Sequence, residues 1–96
     1  MEQKAHDQSH AERMLEAGLR LFKLAGRELS ALPKGQREKQ VLAWWLYGRT
    51  TVKRRWLAER LAMGYETRIS QAVAEVESSR EPGVLTLKKK LMECGI

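Results

Sequence analysis

Residues 50–76, TTVKRRWLAERLAMGYETRISQAVAEV, constrain the fold more than any other stretch. Val52, Trp56, Leu57, Leu61 and Ala62 recur at three- and four-residue spacing, which lines one apolar stripe along a helix. Gly64 then predicts a stop, because glycine tolerates the left-handed backbone that ends helices. A second helix follows with Thr67 as its expected cap, and Ile69, Ala72, Val73 and Val76 form its inward face. Arg68, Ser70, Gln71 and Glu75 are left on the other side. Two short helices joined by a tight turn, the second leading with hydrogen-bonding side chains, predict a helix-turn-helix whose second helix can enter a major groove.

The remaining chain predicts helices on either side of this pair. Asp7 or Ser9 can cap a long N-terminal helix over residues 7–32, with Met14, Leu15, Leu19, Phe22, Leu29 and Leu32 on one broad apolar side, widened by Leu21 and Leu24. Gly18 and Gly26 lower its helix propensity but permit close packing. A stripe that wide can be covered by the chain's own helices or by a second copy, so a homodimer through this helix is a partner to test. Pro33, Lys34 and Gly35 break the pattern. A central helix over 36–48 then carries Val41, Leu42, Ala43, Trp44, Trp45, Leu46 and Tyr47, apolar nearly all round and therefore buried. The two tryptophans cannot share a direction, so one fills the core and the other packs under the first helix or at an edge. Gly48 closes this helix, and Thr50 or Thr51 is the expected cap of the next. The run SSREPG at 78–83 reads as turn material. A final helix over 84–94 turns Val84, Leu87 and Leu91 inward and Lys88, Lys89 and Lys90 mostly outward. The reading is one all-α domain over 1–96, a small bundle of about five helices with a helix-turn-helix of the Trp-repressor or DnaA-like type.

Charge sharpens the functional reading when it is divided along the chain. Of the net +6, residues 1–33 contribute nothing, with five basic and five acidic groups. Residues 34–60 hold eight basic groups, Lys34, Arg37, Lys39, Arg49, Lys53, Arg54, Arg55 and Arg60, against Glu38 and Glu59. The excess therefore precedes the second helix of the pair, where phosphate contacts are wanted. Arg49, Thr50, Thr51, Lys53 and Arg54 are the candidate phosphate contacts. Arg68 and Gln71 are the candidate base readers, flanked by Tyr65, Thr67 and Ser70. Glu66 and Glu75 lie close to where a groove would be, and a carboxylate near phosphates is unfavourable unless it accepts from a cytosine amino group.

Other chemistries find little support. The single Cys94 cannot form an internal disulfide, which fits a cytoplasmic setting. The polar N-terminus is not a signal peptide, and no apolar run approaches the roughly 20 residues that span a bilayer. His6 and His10 are one helical turn apart, but no third metal ligand is near. No nucleophile, carboxylate pair or phosphate-cradling glycine loop is visible, so neither an enzyme nor a cofactor is expected.

The runs LPKG, VLAWWL, RTTVKRRWLAERLAMG and TRISQAV together resemble the C-terminal region of REP-associated tyrosine transposases and their domesticated bacterial relatives. The resemblance covers residues 32–76. It implies the helical DNA-binding module of a family whose full-length members cut and join single-stranded DNA at hairpin-forming repeats. The family's nuclease centre pairs two histidines around one hydrophobic residue with a nucleophilic tyrosine. Here His6 and His10 have three residues between them, and Tyr47 and Tyr65 match no catalytic position. Catalysis is not implied, and the expected partner is double-stranded or hairpin DNA. A weaker resemblance, through Tyr65, Glu66, Thr67, Arg68, Ile69 and Ala72, is to the DNA-binding domain of the replication initiator DnaA. The alternative reading is a helical protein-interaction or dimerisation module whose basic surface is incidental.

Overall fold

A computed structural model describes residues 2–25, 27–33 and 36–93, with side chains from residue 8 onward. Six helices follow one another: α1 (Glu2–Leu21), α2 (Glu28–Ala31), α3 (Arg37–Arg49), α4 (Arg54–Arg60), α5 (Glu66–Ser78) and α6 (Pro82–Met92). There is no strand among the described residues. The chain is an all-α bundle, as its periodicity predicts.

Helix α3 is the hub. It contacts α1, α4, α5 and α6, and it buries Lys39, Val41, Leu42, Ala43, Trp45 and Leu46. A helix apolar nearly all round gains most when every side meets a partner, since each fully buried aliphatic side chain contributes about 1.5–3 kcal/mol. Trp45 fills the core and also meets α1, because a Cβ at Gly18 would lie 3.3 Å from its Cζ3 and 2.7 Å from Leu42 Cδ2. The close packing that Gly18 permits is thus used inside the molecule. Trp44 points to the other side, where it is half-buried and its indole N–H donates to Glu77 Oε1 of α5 at 2.7 Å.

The expected N-terminal helix over 7–32 is shorter at its C-terminal end and extends further at the other. It runs from Glu2 to Leu21. Lys23 then takes a left-handed φ of 57°, Lys23 N–H donates to Arg20 O at 3.1 Å and Leu24 N–H to Leu19 O at 2.8 Å. That is a Schellman closure, normally built on glycine. Leu29, which continues the apolar spacing of α1, is buried from the single turn of α2 instead. Much of the stripe on α1 is covered within the chain, with Ala11, Met14, Leu15 and Leu19 buried, while Leu21 at its end is exposed. Gly26, Lys34, Gly35 and Cys94 lie outside the described residues.

Two helix starts also differ from expectation. Neither Thr50 nor Thr51 caps α4; its cap position is Lys53, without a side-chain cap bond, and Thr50 Oγ1 donates back to Leu46 O at 2.7 Å to close α3. The final helix begins two residues early, at Pro82, where a missing N–H costs nothing and the fixed φ suits a first turn. It ends at Met92.

Candidate nucleic-acid interface

The connection between α4 and α5 spans residues 61–65, and its geometry is set by Ala62 rather than Gly64. Ala62 adopts φ 55°, Ala62 N–H donates to Glu59 O at 3.2 Å, and Met63 N–H donates to Ala58 O at 2.8 Å. A second Schellman closure therefore ends α4, and Gly64, at φ 92°, turns the chain only after the helix has stopped. Leu61 and Met63 are buried beneath the connection. Lys39 reaches up from α3, fully buried, and its ammonium donates to Ala62 O at 3.0 Å and to Leu32 O at 3.1 Å. A lysine counted by sequence in the basic excess of residues 34–60 is instead a pin that fixes the turn from below.

Helix α5 begins at Glu66, with Tyr65 at its cap position and no side-chain cap bond. Thr67 is therefore inside the first turn and exposed, and it does not cap the helix as expected. Ile69, Ala72 and Val76 are buried and Val73 is half-buried, which matches the predicted inward face. Thr67, Arg68, Gln71 and Ala74 face outward, and Tyr65 stands 69 % exposed at the tip. The two acidic residues of the helix's second half are drawn toward α3. Glu75 accepts from Gln40 Nε2 at 2.7 Å and Glu77 accepts from Trp44. Glu66 remains exposed at the leading end.

The basic stretch is less concentrated in space than in sequence. Arg37 pairs with Glu81 ahead of α6, and Arg60 makes a two-bond pair with Glu12 of α1. The hydrogen bond that Arg60 donates to the Glu12 carboxylate raises the guanidinium above its ordinary range, outweighing the opposing cost of partial burial. Arg55 lies 3.9 Å from Glu59 one turn along α4. Arg49 donates to the Met92 thioether at 3.5 Å and shares a cleft with Val73 and Glu77, beside the second half of α5. Near the leading half of α5, Arg54 Nη1 donates to Ser70 Oγ at 2.6 Å, tying the start of α4 to α5. Lys53 and Arg68 are exposed and make no ion pair among the described residues. Thr51 and Lys53 border a further hollow with Gln8, Trp56 and Glu59.

The candidate residues thus fall into two groups. Tyr65, Thr67, Arg68, Ser70 and Gln71 lie on α5 or at its cap position, and Arg54 at the start of α4 is tied to Ser70. Arg49 sits on a different flank, and Ser70 is engaged by Arg54, which makes it a positioning group for that cation. Sequence reasoning missed Gln40 and Trp44 as the residues that hold the α5 carboxylates, and only their polar atoms on an otherwise apolar helix signalled it. His10 is exposed, and the His6 side chain is outside those described. Among the described residues no group of three or more His, Cys, Asp or Glu could hold a metal, and no helix is long and apolar enough to cross a membrane. Set against known protein families, curated proteins and solved structures, the chain matches none of them.

Proposed function

We propose that the chain is a non-catalytic DNA-binding module of the helix-turn-helix type, akin to the binding region of REP-associated tyrosine transposases. In this reading α5 enters the major groove of duplex or hairpin DNA. Arg68 and Gln71 address base edges, with Tyr65 and Thr67 beside them, while Lys53 and Arg54 hold phosphates. One observation carries the reading. Arg68 and Gln71 of α5 are exposed while Ile69, Ala72 and Val76 of the same helix are buried, and the Arg54–Ser70 bond keeps a cation beside that helix. Glu75 and Glu77 accept from Gln40 and Trp44 of α3, which fixes where these two exposed carboxylates stand on α5. The rival reading, a module that dimerises through α1, has less apolar surface to draw on, since Met14, Leu15 and Leu19 of that stripe are buried in the chain's own core and Leu21 is exposed.

The test is a binding selection from random duplex and hairpin oligonucleotides at two salt concentrations, followed by titration of variants on the selected and a scrambled site. Arg68→Ala should lose about 1–3 kcal/mol of discrimination between the two sites. Lys53→Ala should weaken both sites alike and flatten the salt slope by about one. Equal losses from both variants on both sites would dismiss these roles, and no mobility change on any DNA at about 100 mM salt would dismiss the function.

A further inference from the structure

Residues of α3, α5 and α6 line an open cleft to which α1 contributes nothing. Tyr47 is 42 % and Met92 56 % exposed there, and the half-buried Trp44 and Val73 complete its apolar lining. Aromatic residues, methionine and arginine gathered at one place are the composition of a protein interface, whereas apolar residues exposed singly are ordinary surface. Arg49 and Glu77 belong to the same lining.

These two opposite charges share the cleft without meeting. Arg49 donates to the Met92 thioether, a weak acceptor, and Glu77 accepts from the Trp44 N–H, but neither forms an ion pair among the described residues. Lys88 lies close by without lining the cleft, its ammonium donating to Val76 O at 3.2 Å and standing 4.8 Å from the centroid of the Trp44 ring. A surface with one unpaired cation and one unpaired anion beside an apolar lining is complementary to itself, since a two-fold axis can set each against its opposite on the other copy. A ligand of one charge leaves one of the two unanswered; a second copy answers both. Gly48 keeps the approach open. It lies inside α3 in ordinary helical backbone, where alanine favours the helix more, and a Cβ there would meet nothing within 4 Å. Neither conformation nor packing within the chain calls for glycine at this position, whereas close approach of another backbone does.

We infer that this cleft is the face through which two copies of the chain form a two-fold dimer. The apolar linings meet, Gly48 of each copy admits the close approach, and Arg49 of each copy pairs with Glu77 of the other. The dimer goes beyond the proposed function, and its test uses no DNA, so the two stand or fail separately. Val73 and Glu77 belong to α5, so such a dimer holds two of these helices at a fixed separation, and a DNA-reading pair held this way favours inverted half-sites.

The experiment is sedimentation equilibrium of the full chain up to about 500 µM, where a monomer–dimer equilibrium with a Kd on the order of 100 µM or tighter is expected for a face of this modest size. Gly48→Gln places a long side chain where the second copy approaches and should weaken the dimer at least about tenfold, while the helical circular dichroism of the dilute chain is kept. Arg49→Glu and Glu77→Arg should each weaken it by a similar factor, because each sets like charges against one another twice across the axis. An equal mixture of those two variants should dimerise again within about threefold of the parent, since both cross-axis pairs then join opposite charges. Glu77→Arg also loses the Trp44 hydrogen bond, so the mixture, made of the same two altered chains, is the decisive measurement. A monomer at every concentration overturns the inference and leaves the cleft to a different protein or a small apolar ligand. A dimer indifferent to Gly48→Gln, or charge variants that stay monomeric when mixed, overturns it as well.

Discussion

Helices α3 and α5 are both thirteen residues long and pack against each other, yet they do opposite work. Helix α3 buries six of its residues and touches four other helices, while α5 buries three and leaves a continuous side in solvent. One helix is enclosed so that the other can be presented. A surface meant to read a partner must be rigid before it meets it, and rigidity here is supplied from behind: Gln40, Trp44 and Lys39 of α3 hold Glu75, Glu77 and the turn ahead of α5. The difference between the helices should appear first as a difference in what truncation does. Trp45→Ala should cost about 3–5 kcal/mol in urea denaturation, because it empties a core site enclosed on all sides. Gln71→Ala on α5 should change stability by no more than about 0.5 kcal/mol. Comparable losses from the two would mean that α5 is as much a core element as α3, and the division of labour would be lost.

Lys39 tests the link between them. Its ammonium is fully buried and donates to carbonyls on two separate connections, before α3 and between α4 and α5. Lys39→Met keeps the apolar stem but withdraws the donors, so it should destabilise the fold by about 1–3 kcal/mol. The same variant should broaden amide resonances of residues 61–65 more than those of α6, because the turn loses its pin. A variant as stable as the parent, with an unchanged turn, would show that the buried ammonium is incidental to it.

Periodicity carried the inward face of α5, residue by residue, because each apolar side chain there has one core to face and the spacing is unambiguous. It carried the outward positions of Arg68 and Gln71 for the same reason. It could not carry the fate of Lys39, since a charge is ordinarily solvated and only the distant carbonyls of Leu32 and Ala62 make its burial tolerable. The break after Leu21 was hidden by Leu29, which keeps the spacing of α1 while lying on α2. The dispersal of the basic stretch was equally hidden, because the carboxylates that answer Arg37 and Arg60, Glu81 and Glu12, are 44 and 48 residues away in sequence. Counting charges along a chain measures supply; the pairing that spends it is a property of the fold.

The smallest expected effect concerns how α4 is stopped. Sequence pointed to Gly64 as the stop of α4 and to no stop after Leu21, yet at both helix ends a non-glycine residue takes the left-handed backbone: Lys23 after α1 and Ala62 after α4. A left-handed backbone costs a residue with a Cβ about 1–2 kcal/mol, whereas glycine carries no such strain but loses about 0.5–1 kcal/mol more in chain entropy on folding. Ala62→Gly should therefore stabilise the protein by up to about 1 kcal/mol, raising the melting temperature by roughly 4 °C or less. Lys23→Gly should do about the same, and neither disturbs a closing hydrogen bond, since all four donors and acceptors are backbone atoms. The bond from Lys39 to Ala62 O also survives, because it too is made to the main chain. Duplex binding should be unaltered by Ala62→Gly, as the φ that aims α5 is kept while its strain is removed. A fall in melting temperature for Ala62→Gly alone would instead assign the Ala62 methyl a packing role beneath α5, and would place part of that helix's support on the turn itself.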